Sequence, residues 1–378
     1  MSPRISWRWM AVAIGGVSLQ LSSAHALIKF NEGRDQLFVI GTMAIGYDSN
    51  IFANSSAESD VVTNTTLALE YARRAGLISV NGNIGWNLGS FASNGSEDFS
   101  NPTMGLELVK NTGRTTGSFT LGASRQSQAD ANVGLRTDSW NYDAGLNWKY
   151  PVIERYSLAG SFGYSLLDYI DNSANLVDLT SYTASTDLFY TYTSQRDLFA
   201  GYRIRFGETS TQNTITDHAF TVGVSGKILS KLNGTVRAGY QIRQESASGD
   251  TFGSYTASAS TTWSVNKRLS LTGTLSKDFS TTATESTMDT TRFNLDAQYA
   301  FNHRWSVFTG VGAGYSEFLN GVDGGREDYY ITWSAGVNYT LNDHFKASLT
   351  YSYFQNWSNR SLSTFDRNSL TLFLSSRW

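Results

Sequence analysis

Few side chains in this sequence are spaced for covalent chemistry. The four His are too scattered to ligate a metal, one lies at position 25, and there is no Cys to act as ligand or nucleophile. No Gly-x-Ser-x-Gly elbow occurs; Gly223-Val-Ser225-Gly226 only imitates one. Gly310, Gly312 and Gly314 imitate a nucleotide loop, yet their period of two places them on one face of a strand with no helix pattern following. The acids Glu97-Asp98, Asp323 and Glu327-Asp328 either hold divalent cations that bridge lipopolysaccharide or simply solvate loops. The charges that do recur with a pattern are Glu70, Glu107, Asp143 and Asp187, then Arg203, Arg205, Lys227, Arg237 and Arg243, then Arg292 and Asp296. Each falls on the polar side of a segment that alternates apolar and polar. Such charges line a wet surface and shape its field. No enzymatic activity, metal or cofactor is expected.

The segments that must position them read as β-strands. In 329–341, Tyr329, Ile331, Trp333, Ala335, Val337, Tyr339 and Leu341 fall on one face, and Thr332, Ser334, Gly336, Asn338 and Thr340 on the other. Eighteen such segments are predicted, from 36–48 through 61–73, 268–279 and 290–301 to 366–378. Short turns alternate with longer Asp-, Asn-, Ser- and Gly-rich loops. A weak repeat marks the short turns: Val265-Asn-Lys-Arg268, Phe301-Asn-His-Arg304 and Leu341-Asn-Asp-His344, with a looser relative at Tyr192–Arg196.

Composition narrows the class. Charged residues are 16% and aromatics 13%, and the net charge is −3. Intrinsic disorder is poor in aromatics, and nucleic-acid binding demands a basic surface, so neither fits. Helical membrane proteins need apolar runs of about 20 residues, and only a short one occurs, Met10 to Leu21. With Arg4 and Arg8 before it and Ala24-His25-Ala26 after it, that stretch reads as part of a secretory signal peptide, residues 1–26. Residues 27–378 then form one body, in which Leu27 to Arg34 are a short lead-in with no room for a plug.

A soluble sandwich also alternates, but eighteen strands would leave open edges. Aromatics at both ends of a strand, as in Trp140 and Tyr142 against Trp148 and Tyr150, fit two lipid interfaces instead. Backbone groups in hydrocarbon must all be paired, and for a sheet only closure achieves that. The expectation is an all-β fold, a transmembrane antiparallel up-and-down barrel of about 18 strands in the bacterial outer membrane. The eleven charges above would line its pore, acidic on the second to eighth strands and basic on the ninth to eleventh. Two opposed walls would give a transverse field. Tyr330, Phe189, Phe199 and Phe308 also point inward, to stack on sugars or to fill space.

Gly46-Tyr47-Asp48-Ser49-Asn50-Ile51-Phe52, followed by Ser59-Asp60, resembles the opening of the β-barrel porin 2 family. That resemblance implies an outer-membrane barrel, often associated with exopolysaccharide genes. From the residues alone, Asp48 and Asn50 are either lumen-facing polar groups or an Asx turn. Leu370, Leu372, Leu374 and Trp378 resemble the C-terminal signal read by the barrel assembly machinery, with Ser376 departing from it. The functional expectation is a porin-like channel for small polar solutes, or a participant in exopolysaccharide export. A non-conducting structural or adhesive barrel, closed by its loops, is the alternative, and an outer-membrane hydrolase a distant one. The partners expected are outer-membrane lipid, lipopolysaccharide, the assembly machinery and, with export, polysaccharide; nucleic acid is not among them.

Overall fold

The computed structural model describes residues 26–74, 76–170 and 176–378. Except for Ala26, the expected signal peptide lies outside the described residues. The lead-in is not structureless: Ile28–Phe30 forms a short strand, β1, paired to the next one. The wall begins with β2 (Asp35–Asp48), β3 (Asp60–Arg73), β4 (Ser79–Phe91), β5 (Phe99–Lys110), β6 (Thr116–Asp130) and β7 (Leu135–Ile153). It continues with β8 (Tyr156–Tyr169), β9 (Leu179–Thr193), β10 (Arg196–Thr209), β11 (Thr214–Leu229), β12 (Leu232–Glu245) and β13 (Thr251–Ser264). The last six are β14 (Leu269–Thr281), β15 (Thr287–Ala300), β16 (Trp305–Phe318), β17 (Glu327–Thr340), β18 (Phe345–Ser358) and β19 (Phe365–Arg377).

Every neighbour in this order is antiparallel, and β19 pairs back onto β2, Ser369 with Asp48 through to Arg377 with Ile40. The sheet is closed by eighteen strands, as the sequence predicts. Strands spaced about 4.8 Å apart and tilted by about 40° give a wall about 36 Å across. Its outer face carries the apolar residues of each alternation, among them Leu67, Phe220, Val222 and Tyr255, all exposed in the absence of lipid. That exposed apolar band is the surface a bilayer covers.

The repeated turn has a physical cause. In each, an Asn side-chain oxygen accepts two successive backbone N–H groups: Asn266 from Arg268 and Leu269 at 2.8 and 2.9 Å. Asn302 accepts from Arg304 and Trp305 at 2.8 and 2.9 Å, and Asn342 from His344 and Phe345 at 2.9 and 2.8 Å. The Asx turn reverses the chain in a few residues, so the Asn recurs where the basic and aromatic residues recur.

One corner of the wall leaves the ring. β13 pairs with β14 only from Ala257–Lys277 to Ser264–Ser270, although β14 and β15 stay paired along their length to Thr281–Thr287. Beyond the Ala257–Lys277 pair the alternation of exposed and buried residues stops. Thr287, Met288, Asp289 and Thr290 are four consecutive buried residues, and Phe279, Thr282, Ala283 and Ser286 are buried too. A strand with one face on lipid or water cannot do this. The β14–β15 corner is turned into the barrel.

Candidate functional site

Alternation places all eleven of the charges singled out by sequence on the face opposite the exposed apolar row, toward the barrel interior. Glu107, Asp143 and Asp296 are exposed there, and Glu107 accepts Asn81 Nδ2 at 2.9 Å. Asp143, Asp187 and Asp296 each lie across a glycine directly opposite on the neighbouring strand, Gly122, Gly201 and Gly310. A Cβ at those glycines would fall 1.8–2.3 Å from a carboxylate oxygen, so a side chain there would push the acid off the wall. Gly312 and Gly314 similarly make room for Asn294 and Tyr330. The period-two glycines that imitate a nucleotide loop are therefore seats for interior side chains.

The two opposed walls of the sequence reading are not present. Asp187, assigned to the acidic wall, is bonded through both oxygens to Arg237 of the basic one, at 2.7 and 2.9 Å, and Arg237 also covers the Phe199 ring at 4.6 Å. Phe199 in turn packs on Phe189, 5.0 Å between centroids. Glu70 accepts from Arg377 at 2.9 Å. Arg203, Arg205 and Arg243 meet acids that strand numbering alone does not bring together with them. Arg203 grips Asp278 with two bonds of 2.8 Å; Arg205 bonds Asp217 at 2.6 Å and lies 3.5 Å from Asp278. Arg243 holds the other side of Asp217 at 2.7 and 2.9 Å. Asp217 and Arg243 are 1% and 2% exposed, so this is a buried network and not a charged wall facing water.

The network fastens the inturned corner. β10 and β14 are four strands apart on the ring, a chord of about 23 Å on a wall of this width, whereas an Arg and an Asp side chain together reach about 10 Å. The contact exists only because the corner comes inward. Arg205 also donates to the Phe279 carbonyl at 2.8 Å, and Arg243 to the Ser280 carbonyl at 3.0 Å and Thr287 Oγ1 at 3.2 Å. Thr287 donates to Glu245, which accepts Asn320 Nδ2 as well. On the corner's other side Lys277 and Ser254 both bond Asp289, at 2.7 and 2.6 Å. Sequence patterning leaves residues 280–289 between two predicted segments, outside any strand. The polar pattern there is that of a solvated loop, and nothing in it reveals the partners on β10 to β12.

The outer loops add bridges over the mouth. Val177 of the β8–β9 loop donates to the Ala283 carbonyl at 2.9 Å, and Glu285 accepts from Thr209 and Thr211. Arg326, 2% exposed, bonds Asp328 at 2.7 Å and reaches the carbonyls of Asn132 and Ala131 at 3.0 and 3.4 Å. The loops holding Arg326 and Asn132 stand almost opposite each other on the ring. Asn54 and Arg136 join the β2–β3 loop to the same β6–β7 region, through the Gly134 and Ile51 carbonyls.

The Gly46–Phe52 motif sits at the seam where the barrel closes. Asp48 bonds Arg367 of β19, and its Oδ1 accepts the Asn50 N–H at 3.0 Å, an Asx turn. Asn50, fully buried, donates from Nδ2 to the carbonyls of Asn54 and Asp366 at 2.7 and 3.1 Å. Both sequence readings of these residues hold: Asp48 is inward and begins a turn, and together they lock first strand to last. At the other end of β19, Leu370, Leu372 and Leu374 are exposed on the lipid side. Trp378 stacks on His344 at 4.3 Å and exchanges backbone bonds with Val39. Among the described residues no group of His, Asp or Glu is gathered as a metal-ligand set.

Residues 208–377 match the model of the family described as putative beta-barrel porin 2. The match is carried by the second half of the barrel, outside the motif at Gly46–Phe52. No curated protein sequence matches the chain. Among solved structures, Pseudomonas aeruginosa OpdK, crystallised with vanillate, superposes with a TM-score of 0.51 at 11% identity, covering 90% of this chain and 99% of that one. Pseudomonas aeruginosa OccK2 (OpdF) gives 0.51 at 11%, covering 91% and 97%. Its complex with glucuronate gives 0.51 at 12%, covering 91% and 98%. At such identities the likeness is one of fold. The chain is a closed eighteen-stranded outer-membrane barrel whose residues 208–377 are similar to the putative beta-barrel porin 2 family.

Proposed function

We propose that the protein is a passive porin-like channel for small polar solutes, whose path is narrowed from the outer side by the inturned β14–β15 corner. The observation that carries this reading is a closed wall with a polar interior, into which Glu107, Asp143 and Asp296 project exposed, while the corner occupies the space over β10 to β12. A wall of eighteen strands is wide enough for an aqueous path, and a fixed constriction converts such a width into selection by size and charge. The eleven interior charges line this path in the present reading, with the arginines of β10 and β12 shaping it through the corner they hold. Delivery through a signal peptide at residues 1–26, and assembly directed by Leu370, Leu372, Leu374 and Trp378, belong to the same proposal. Passage of a continuous polysaccharide chain fits less well, because hydrogen-bonded loops cross the mouth through Arg326 and Asn132. No step of bond making or breaking is part of this function.

Swelling of liposomes containing the folded barrel tests it. Small sugars and amino acids should enter at rates proportional to protein content, and long maltodextrins should not. A folded barrel that admits no solute would establish the closed structural alternative. Equal entry of the long chains would establish polymer passage.

A further inference from the structure

Two clefts lie side by side on the lip formed by the short turns, the periplasmic end of an outer-membrane barrel, and both are basic. One, of about 670 Å³, is lined by Lys231, Lys267, Arg268, Ser264, Ser270 and Gln298. The other, of about 380 Å³, lies beside it, with Arg196, Lys227 and Thr193. Ser264, Ser270 and Gln298 are cross-strand partners on β13, β14 and β15, and Gln298 is on the same face as Asp296, so the larger cleft opens toward the barrel interior. Two of the cations in the pair of clefts are held in place without being neutralised. Lys231 donates to the Val265 carbonyl at 2.7 Å, and Arg196 to the carbonyls of Lys227 and Ile228 at 3.2 and 2.7 Å. Among the described residues, Lys227, Lys231, Lys267 and Arg268 form no ion pair with a carboxylate. The turns at 230–231, 265–268 and 301–304 carry Lys231, Lys267, Arg268 and Arg304 and no acid. At the opposite end of the barrel every buried Arg of the corner network faces a carboxylate.

We propose that this lip is a binding site for soluble solutes bearing two or more adjacent anionic groups, phosphate or carboxylate. Uncompensated Lys and Arg charges beside hydroxyl and amide donors match that chemistry, since ionised acceptors form the stronger hydrogen bonds. Several cations grouped on neighbouring turns favour an oligoanion over a single phosphate, because each further anionic group meets a further cation. The interior-facing row Ser264, Ser270 and Gln298 favours a solute from the periplasm over a lipid headgroup, which would approach from the outer face. The site stands whether or not the barrel conducts.

Calorimetric titration of the folded barrel in nonionic detergent with tripolyphosphate, and with orthophosphate beside it, tests the proposal. Tripolyphosphate should bind the tighter, and Lys267→Gln with Arg268→Gln should weaken it about fivefold, two partly exposed cations at several tenths of a kcal/mol each. Arg360→Gln, in an outer loop, should leave it unchanged. Binding should vanish near 1 M salt, where screening acts within about 3 Å. Titration in nanodiscs containing phosphatidylglycerol separates the sources: retained affinity supports a soluble solute, and its loss would assign the lip to lipid headgroups and overturn the proposal. So would an unchanged affinity in the Lys267→Gln, Arg268→Gln protein with a normally folded barrel, or no heat of binding at low salt.

Discussion

Asp278→Asn removes the charge at the centre of the clamp while keeping its shape. In the native protein this carboxylate takes two bonds of 2.8 Å from Arg203 and faces Arg205 at 3.5 Å. Hydrogen bonds to charged groups contribute about 1.5–3 kcal/mol each when desolvated. Arg203 and Asp278 are 24% and 31% exposed, so the pair falls toward the lower end, about 2 kcal/mol. Arg205 keeps Asp217 and the Phe279 carbonyl, and the backbone ladder between β14 and β15 is untouched, so the barrel itself still folds. A loss of about 2 kcal/mol raises the population of the released corner about thirtyfold. In planar-bilayer recordings the time spent in a level of larger conductance should rise by that factor, with the base level unchanged. Amplitude histograms identical to the native protein's, from a barrel that remains heat-modifiable on gels, would refute the claim that the corner sets the width of the path.

Asp48→Ala should cost about 3 kcal/mol at the seam, since it leaves Arg367 without its counter-charge and frees the Asn50 turn; a lower unfolding midpoint in urea checks this, and an equal loss from Arg367→Ala with no further loss in the double variant shows the pair acting together. Gly201→Val, by contrast, should act through space: its side chain would displace Asp187 from Arg237, shifting the reversal potential under a salt gradient while leaving the barrel folded. Deleting Trp378 removes the His344 stack and the last backbone bonds to Val39, so the folded fraction in outer-membrane preparations should fall, whereas Ser376→Ala should change it little.

The wall was legible because lipid imposes a strict rule. One face of every strand must be apolar and every backbone group paired, so Tyr329 to Leu341 could be read from period alone. Interior orientation follows from the same rule, since Glu107, Asp143 and Asp296 alternate with the exposed apolar row of their strands. Pairing across the interior obeys no such period. Asp217 and Asp278 meet Arg203, Arg205 and Arg243 only because the corner bends inward, and Gly201 lets Asp187 reach Arg237 across two strands. Asn50 illustrates the middle ground: its turn chemistry showed in the sequence, but its bond to the Asp366 carbonyl depends on closure.

Thr211→Cys with Glu285→Cys shows whether the corner rests inside the barrel, because the native chain has no Cys and these two side chains touch only when the corner is turned inward. Single-channel current is recorded from the oxidised barrel and again after reduction. The disulfide should form spontaneously, the locked protein should conduct at the native base level, and the rare larger openings should return only on reduction. A pair that never cross-links, or a lock that abolishes current, would contradict that expectation.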